Sequence, residues 1–239
     1  MARKKRFTRA EQERRVTQIL RGLDRAYPDA QCALVHRNAL ELLVATILSA
    51  QCTDERVNIV TRDLFKTYRT PEDYVNAPRA VLEEAIRSTG FFRNKTKSLQ
   101  GAAAMMIEKF GGQVPDTMEE LVQLPGVARK TANVVLGVIF GKAEGVVVDT
   151  HVFRVARRLD LSHAPTPEKM ERDLMELIPR DKWIVFSHQM IHHGRKVCKA
   201  RKPLCYLCPV EKVCQSEDKV LAAPMYHAGR STSGRKAVG

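Results

Sequence analysis

The chain has 239 residues, 28% of them charged, and a formal net charge of +13, and that length can bury a full core as one large domain or two small ones. The basic start MARKKRFTRAEQERR has no apolar stretch behind it, and runs such as Leu42 to Ala50 are too short and interrupted to span a bilayer. These features exclude a signal peptide and a membrane span and predict a soluble intracellular protein. Residues 1 to 30 carry nine Lys/Arg against four Asp/Glu, residues 190 to 239 carry ten against three, and the middle is nearly balanced at 21 against 20. If both ends fold into one lobe they make one basic face, and a polyanion is its natural partner.

Residues 10 to 27 place Val16, Ile19, Leu20 and Leu23 at helical spacing on a basic helix. ALELLVATILSAQ, after Asn38, is apolar nearly all round and predicts a buried helix. Thr53-Asp54 suits the start of a helix carrying Val57, Val60, Leu64 and Phe65 inward. Pro71 and Pro78 open two short helices, Gly90 ends the second, and Asn94 to Phe110 forms a longer one with Leu99, Ala103, Met106 and Ile107 inside. Asp116 or Thr117 caps the next. Further helices are predicted over 150 to 159, from Pro167 to Pro179 with Met170, Leu174 and Leu177 inside, and from Lys182 to about His193. Gly145 to Val148 is a short β-branched run set between helical patterns, so the expected fold class is all-α.

The organising stretch is LVQLPGVARKTANVVLGVIFGKAEGVVVDTH, Leu121 to His151. Pro125-Gly126 breaks one amphipathic run and an apolar helix resumes at once, which reads as helix, tight hairpin, helix. Such a helix start presents free backbone N–H groups and a positive dipole end that suit a phosphate oxygen. Lys130 and Asp149 bracket the second helix. A Lys on a helix surface is ordinarily a solvated charge and an Asp before a helix ordinarily an N-cap, so these two alone do not establish chemistry.

Cys198, Cys205, Cys208 and Cys214 are spaced C-x6-C-x2-C-x5-C within seventeen residues. In an intracellular protein such a group holds a metal rather than disulfides. Zinc and an iron-sulfur cluster both accept four Cys, and spacing alone leaves the two open. A zinc deaminase is not matched, because no His is followed two residues later by Glu and Pro203 is separated from Cys205 by Leu204. Lys199, Arg201 and Lys202, between the first two Cys, would be fixed by a bound metal group in positions suited to a phosphate backbone. Cys32 and Cys52 stand alone and read as buried structural thiols.

LPGVARKTANVVL followed by VVVDTHVFRVARRL resembles the endonuclease III family of DNA repair glycosylases, over roughly residues 15 to 215. The resemblance implies a helix-hairpin-helix over about 117–140 within a six-helix domain, 32–142. It implies a second domain, 8–31 plus 143–218, around a 4Fe-4S cluster held by the four Cys, and leaves 219–239 as a flexible tail. It makes Lys130 the amine nucleophile and Asp149 its acidic partner. Ser49-Ala50-Gln51 matches the segment whose Gln fills the gap left by an extruded nucleotide, and Phe91-Phe92 stands where relatives often have Leu-Tyr, with core packing the other reading of that pair. Gly126 and Ala128 belong to the phosphate-binding hairpin. The family hairpin usually reads Gly-Val-Gly, so if position 128 requires a positive φ, Ala there costs about 1 kcal/mol relative to Gly and alters the grip on phosphate.

The implied activity is removal of oxidised pyrimidines from duplex DNA and cleavage at the abasic site, by a monomer in the cytoplasm at the nucleoid. The helix dipole and Arg129 are expected to favour the neutral Lys130 amine, with Asp149 as proton acceptor and stabiliser of positive charge on the sugar. The alternatives are an adenine-removing relative, which would lack the Lys, and a damaged-DNA-binding module without chemistry, against which the pair Lys130 and Asp149 argues.

Overall fold

The computed structural model describes residues 7–222, and every regular element among them is helical. The 21 residues assigned to a flexible tail fall mostly outside the described residues; within them, Lys219 is held by the backbone and carboxylate of Glu211 at 2.9 and 2.8 Å.

In chain order the helices are α1 Arg9–Ala26, α2 Ala39–Leu48, α3 Asp54–Thr67, α4 Pro71–Asn76, α5 Arg79–Ile86, α6 Phe92–Phe110, α7 Met118–Leu121, α8 Arg129–Phe140, α9 Thr150–Arg158, α10 Pro167–Leu177 and α11 Trp183–Lys196. Most starts carry the side-chain cap that their sequence offers. Thr8, Asn38, Thr53, Thr70, Thr117, Asp149 and Thr166 each accept a backbone N–H of the following turn, and Thr8 with Glu11 and Thr70 with Asp73 form capping boxes. Gly111 and Gly141 end α6 and α8 in the left-handed conformation.

Two apolar clusters form. Helices α2 to α8 enclose one around Leu42, Leu48, Tyr74, Leu82, Met106 and Leu136. The other gathers Ile19 and Leu23 of α1, Val146 and Val148, Val155, Leu174 and Phe186. The first helix therefore packs on α11, at the far end of the sequence, as its stripe requires. Gly22 lets α1 also approach the 209–210 segment closely, since a Cβ there would lie 2.6 Å from Val210 Cγ1.

Several predicted details are corrected. The long helix α6 starts at Phe92, and Ile107 is 38% exposed on it while Ala102 is buried in its place. Helix α11 continues past His193 to Lys196. The run 145–148 is buried and extended but pairs with no strand; the Val147 N–H is satisfied by Ser187 Oγ at 3.0 Å.

Candidate active site and cysteine loop

The hairpin is a tight turn closed by Val127 N–H donating to the Leu124 carbonyl at 3.0 Å, with Pro125 and Gly126 at its centre. Gly126 has φ +82°, where an L side chain is strained, and a Cβ there would meet Ser98 Cβ at 2.6 Å. Ala128 has φ −91° in the extended region. The predicted penalty at 128 is therefore absent, because the left-handed residue of this turn is Gly126.

Ala128 is the N-cap of α8 and offers its first turn no side-chain acceptor. The first N–H groups of α8 lie next in the chain to exposed Gly126 and Ala128, an arrangement suited to an anion. Lys130 is the second residue of α8. It is exposed and makes no ion pair or hydrogen bond with any described residue. The Arg129 guanidinium pairs with Glu171, with Nε at 3.1 Å from both carboxylate oxygens, and donates to the Glu144 carbonyl at 3.1 Å. Glu171, nearly buried, also accepts from Asn133 Nδ2 at 2.8 Å, and a Cβ on Gly145 would lie 2.0 Å from its Oε1. One carboxylate on α10 thus holds the start of α8 against the segment leading to Asp149.

Asp149 caps α9 through Oδ1, which accepts from the N–H groups of His151 and Val152 at 2.8 Å each. Its other oxygen has no donor among the described residues. The structural and chemical readings of Asp149 are therefore compatible, because capping occupies one oxygen. Asp149 and Lys130 line the same cleft with Gln51, Ala128, His188 and Arg195. Arg195 donates to Asp54 at 2.7 Å on its rim. Burial, with a smaller contribution from His192, holds His188 down at about 4, so it is neutral at pH 7. Burial also lowers the pKa of His151, Asp149 opposes this, and Arg154 and Arg195 reinforce it.

Gln51 is exposed and left-handed, φ 53°. Phe91 and Phe92 divide the two readings between them: Phe91 is 61% exposed with φ 48°, while Phe92 packs against the α2–α8 core. The two single Cys are half-buried rather than buried, and Cys32 lines the cleft, where burial raises its thiol pKa.

Cys198, Cys205, Cys208 and Cys214 are free thiols that line a single small cavity with His193, Val197 and Pro203. Among the described residues no three Cys, His, Asp or Glu are drawn in around one ion-sized point. Four thiols lining one cavity are a donor set that suits a metal group. Cations and N–H groups surround it: Arg158 Nη1 lies 3.5 Å from Cys198 Sγ, and His193 Nε2 lies 3.6 Å from Cys208 Sγ. Burial pushes the Cys208 thiol up to about 12, with the neighbouring Cys adding to the effect. Lys199, Arg201 and Lys202 are all exposed on the intervening loop. Arg158 holds that loop by the carbonyls of Lys199 at 2.7 Å and Ala200 at 3.3 Å, and Arg154 holds the Cys198 carbonyl at 3.0 Å. Glu171, Arg154, Arg158 and His193 escaped the sequence reading, since each acts on residues 15 to 44 positions away and no local pattern marks them.

Residues 44–180 match the family described as HhH-GPD superfamily base excision DNA repair protein. The chain is 54% identical over 207 residues to an endonuclease III of Synechocystis sp., covering 87% of this chain and 94% of that one. Two solved structures superpose with TM-score 0.81 at 46% identity, covering 85% of this chain and 95% of theirs: a non-covalent endonuclease III–DNA complex, and a trapped endonuclease III–DNA covalent intermediate. This chain belongs to the HhH-GPD superfamily of base excision DNA repair proteins, and within it to the endonuclease III family. It is an enzyme, a base-excision DNA glycosylase. Among the described residues no helix is long and apolar enough to cross a membrane.

Proposed function

We propose that this enzyme removes oxidised pyrimidines from duplex DNA and then cleaves the strand at the abasic site, with Lys130 as nucleophile and Asp149 as its acidic partner. The observation that supports this is the cleft, which is lined by both Lys130, without a partner among the described residues, and Asp149, one oxygen of which accepts no hydrogen bond from them. The enzyme acts as a monomer, in the compartment that holds the chromosome.

The neutral Lys130 amine attacks the sugar C1′, the C1′–N bond to the base breaks with its electron pair going to the base, and the departing base takes a proton from water. Asp149 takes the proton lost by the amine and stabilises positive charge on the sugar. Ring opening gives a C1′=N imine. Loss of a C2′ proton then expels the 3′ phosphate, breaking C3′–O, and water releases Lys130 from the unsaturated sugar. The trapped intermediate described for the related endonuclease III is consistent with such a covalent step.

The hairpin N–H groups, with Gly126 and Ala128 leaving the approach open, bind a backbone phosphate. Gln51 and Phe91 occupy the space vacated by the extruded nucleotide, and Phe92 supports Phe91 from the core side. Cys198, Cys205, Cys208 and Cys214 hold a 4Fe-4S cluster. When bound, it ties four thiolates into one rigid unit, so that Lys199, Arg201 and Lys202 meet phosphates from fixed positions.

Borohydride trapping on duplexes carrying an abasic site or thymine glycol tests the reading. An adduct on both is expected, and Lys130→Gln abolishes it while binding persists. An adduct that survives Lys130→Gln assigns the nucleophile elsewhere.

A further inference from the structure

Lys95, in the first turn of α6, is a buried cation that the chemistry above does not use. It is 5% exposed, and its Nζ donates to two backbone carbonyls, Leu48 and Thr89, each at 2.8 Å. Burial lowers its pKa below the ordinary lysine value, against a smaller opposing effect of Cys52. Burying an ammonium is costly unless its donors are satisfied, so its position calls for a reason beyond filling space.

The two carbonyls supply that reason. Leu48 is the last residue of α2, three before Gln51, and Thr89 ends the 3-10 turn 87–89, two before Phe91. Both are C-terminal ends, where unpaired carbonyls and the helix dipole favour a cation. Just beyond each, the chain turns through a non-glycine residue in the left-handed region, Gln51 at φ 53° and Phe91 at φ 48°. Residues in that region persist only where their surroundings hold them. Phe91 also starts α6 without any side-chain cap, so that turn lacks the usual local fastening. The same ammonium thus secures the approach to both strained positions, and its own helix begins at the second of them.

We propose that Lys95 is a positioning residue that fixes the Gln51 loop and the Phe91 loop in mutual register, so that their side chains enter the duplex as a pair. The proposal rests on the reading that Gln51 and Phe91 fill the gap. Lys95 acts through backbone carbonyls and touches neither DNA nor the reacting atoms. A register function is needed only where a nucleotide must be displaced from a stacked duplex, and not where the abasic site lies in a single strand.

The test is borohydride trapping on an abasic-site oligonucleotide, single-stranded and annealed, with wild type, Lys95→Met, Gln51→Ala and Phe91→Ala. The duplex-to-single-strand ratio of trapping rates is expected to fall at least tenfold in Lys95→Met and in both alanine variants. The double variant Lys95→Met/Gln51→Ala should fall less than the product of the two single effects. A ratio unchanged in Lys95→Met while the alanine variants are impaired overturns the role of Lys95 alone. An unchanged ratio in both alanine variants overturns the gap-filling reading and the proposal with it. Equal loss on both substrates in Lys95→Met makes the residue merely structural and also overturns the proposal. Should Lys95→Met not fold, Lys95→Arg, which keeps the charge in a different donor geometry, is read by the same ratio.

Discussion

The Tyr27 hydroxyl and His193 Nδ1 meet at 3.0 Å across 166 residues of sequence, and the other nitrogen of that ring faces Cys208 Sγ at 3.6 Å. The two rings stand edge to face with centroids 5.8 Å apart. A Tyr hydroxyl that donates to Nδ1 leaves the proton on Nε2, where it is directed at the sulfur. In that arrangement the end of α1 sets the tautomer of a side chain bordering the cysteine cavity.

His193→Leu removes the ring nitrogens that face Cys208 and the half-buried Tyr27 hydroxyl. Iron should be lost faster in air than from wild type, and stability should drop by about 0.5–1.5 kcal/mol, the net worth of a hydrogen bond between neutral groups. Iron content against time, with denaturant midpoints, measures both. Tyr27→Phe should show the same direction with a smaller effect, and wild-type iron retention in both variants contradicts the assigned hydrogen bond.

Glu171→Ala leaves Asn133 Nδ2 buried without an acceptor and releases Arg129, which is half exposed and regains water. The expected cost is about 2–3 kcal/mol, dominated by the unsatisfied amide. Because Glu171 anchors the start of α8, hydrogen exchange should rise at residues 129 to 133 more than in α2. Uniform acceleration would mean that the carboxylate serves global stability alone.

Gly126→Ala combines a left-handed φ with a Cβ 2.6 Å from Ser98 Cβ, and should destabilise by about 2 kcal/mol or more. Adding Ser98→Gly relieves the clash but not the dihedral strain, so partial recovery is expected on thermal unfolding. Ala128→Gly restores the residue usual in the family pattern. At φ −91° glycine gains nothing in the folded state, and the variant should lose about 0.4–1 kcal/mol through the unfolded chain, with no gain in DNA affinity by titration.

His188 sets part of the acid response. Its folded pKa, about 4, lies below the ordinary value of 6.5, so between these limits the unfolded chain binds the proton and the folded one does not. Stability should therefore fall as pH drops from about 6.5 towards 4, by at most about 1.4 kcal/mol per pH unit for one group, and less where the cleft admits water. His188→Gln should flatten that part of the curve, and an unchanged slope would show that His188 does not drive it.

Replacing Lys199, Arg201 and Lys202 together by Ala should weaken binding to any duplex alike. Every phosphate that a cation no longer neutralises reduces the slope of log K against log salt by about 0.9. A reduction approaching that of three phosphates is therefore expected from titrations at several salt concentrations. An unchanged slope would place those charges away from DNA.

What the sequence disclosed follows the range of the interactions concerned. The hairpin was readable because Pro125-Gly126 interrupts an apolar period, and the Cys cavity because four ligands fall within one short stretch. Ile107 was misplaced because a helical period cannot say how far round the buried face extends. Lys95 was invisible for a different reason. Its acceptors are main-chain carbonyls, 47 and 6 residues earlier in the chain, which no residue type advertises. The left-handed turn at Phe91 was equally hidden, since an aromatic residue is a poor signal for positive φ.

The packing of α1 against α11 sets a timetable for synthesis. A ribosome releases the first helix well before its partner exists, and at about 5–20 residues per second the wait is roughly ten to thirty seconds. Through that interval Val16, Ile19 and Leu23 form an uncovered apolar stripe on a nascent chain, while α2 to α8 can already close around their own core. The amino terminus is therefore the first segment made and among the last to settle, so the newborn enzyme is most vulnerable to chaperone capture or proteolysis at its oldest residues.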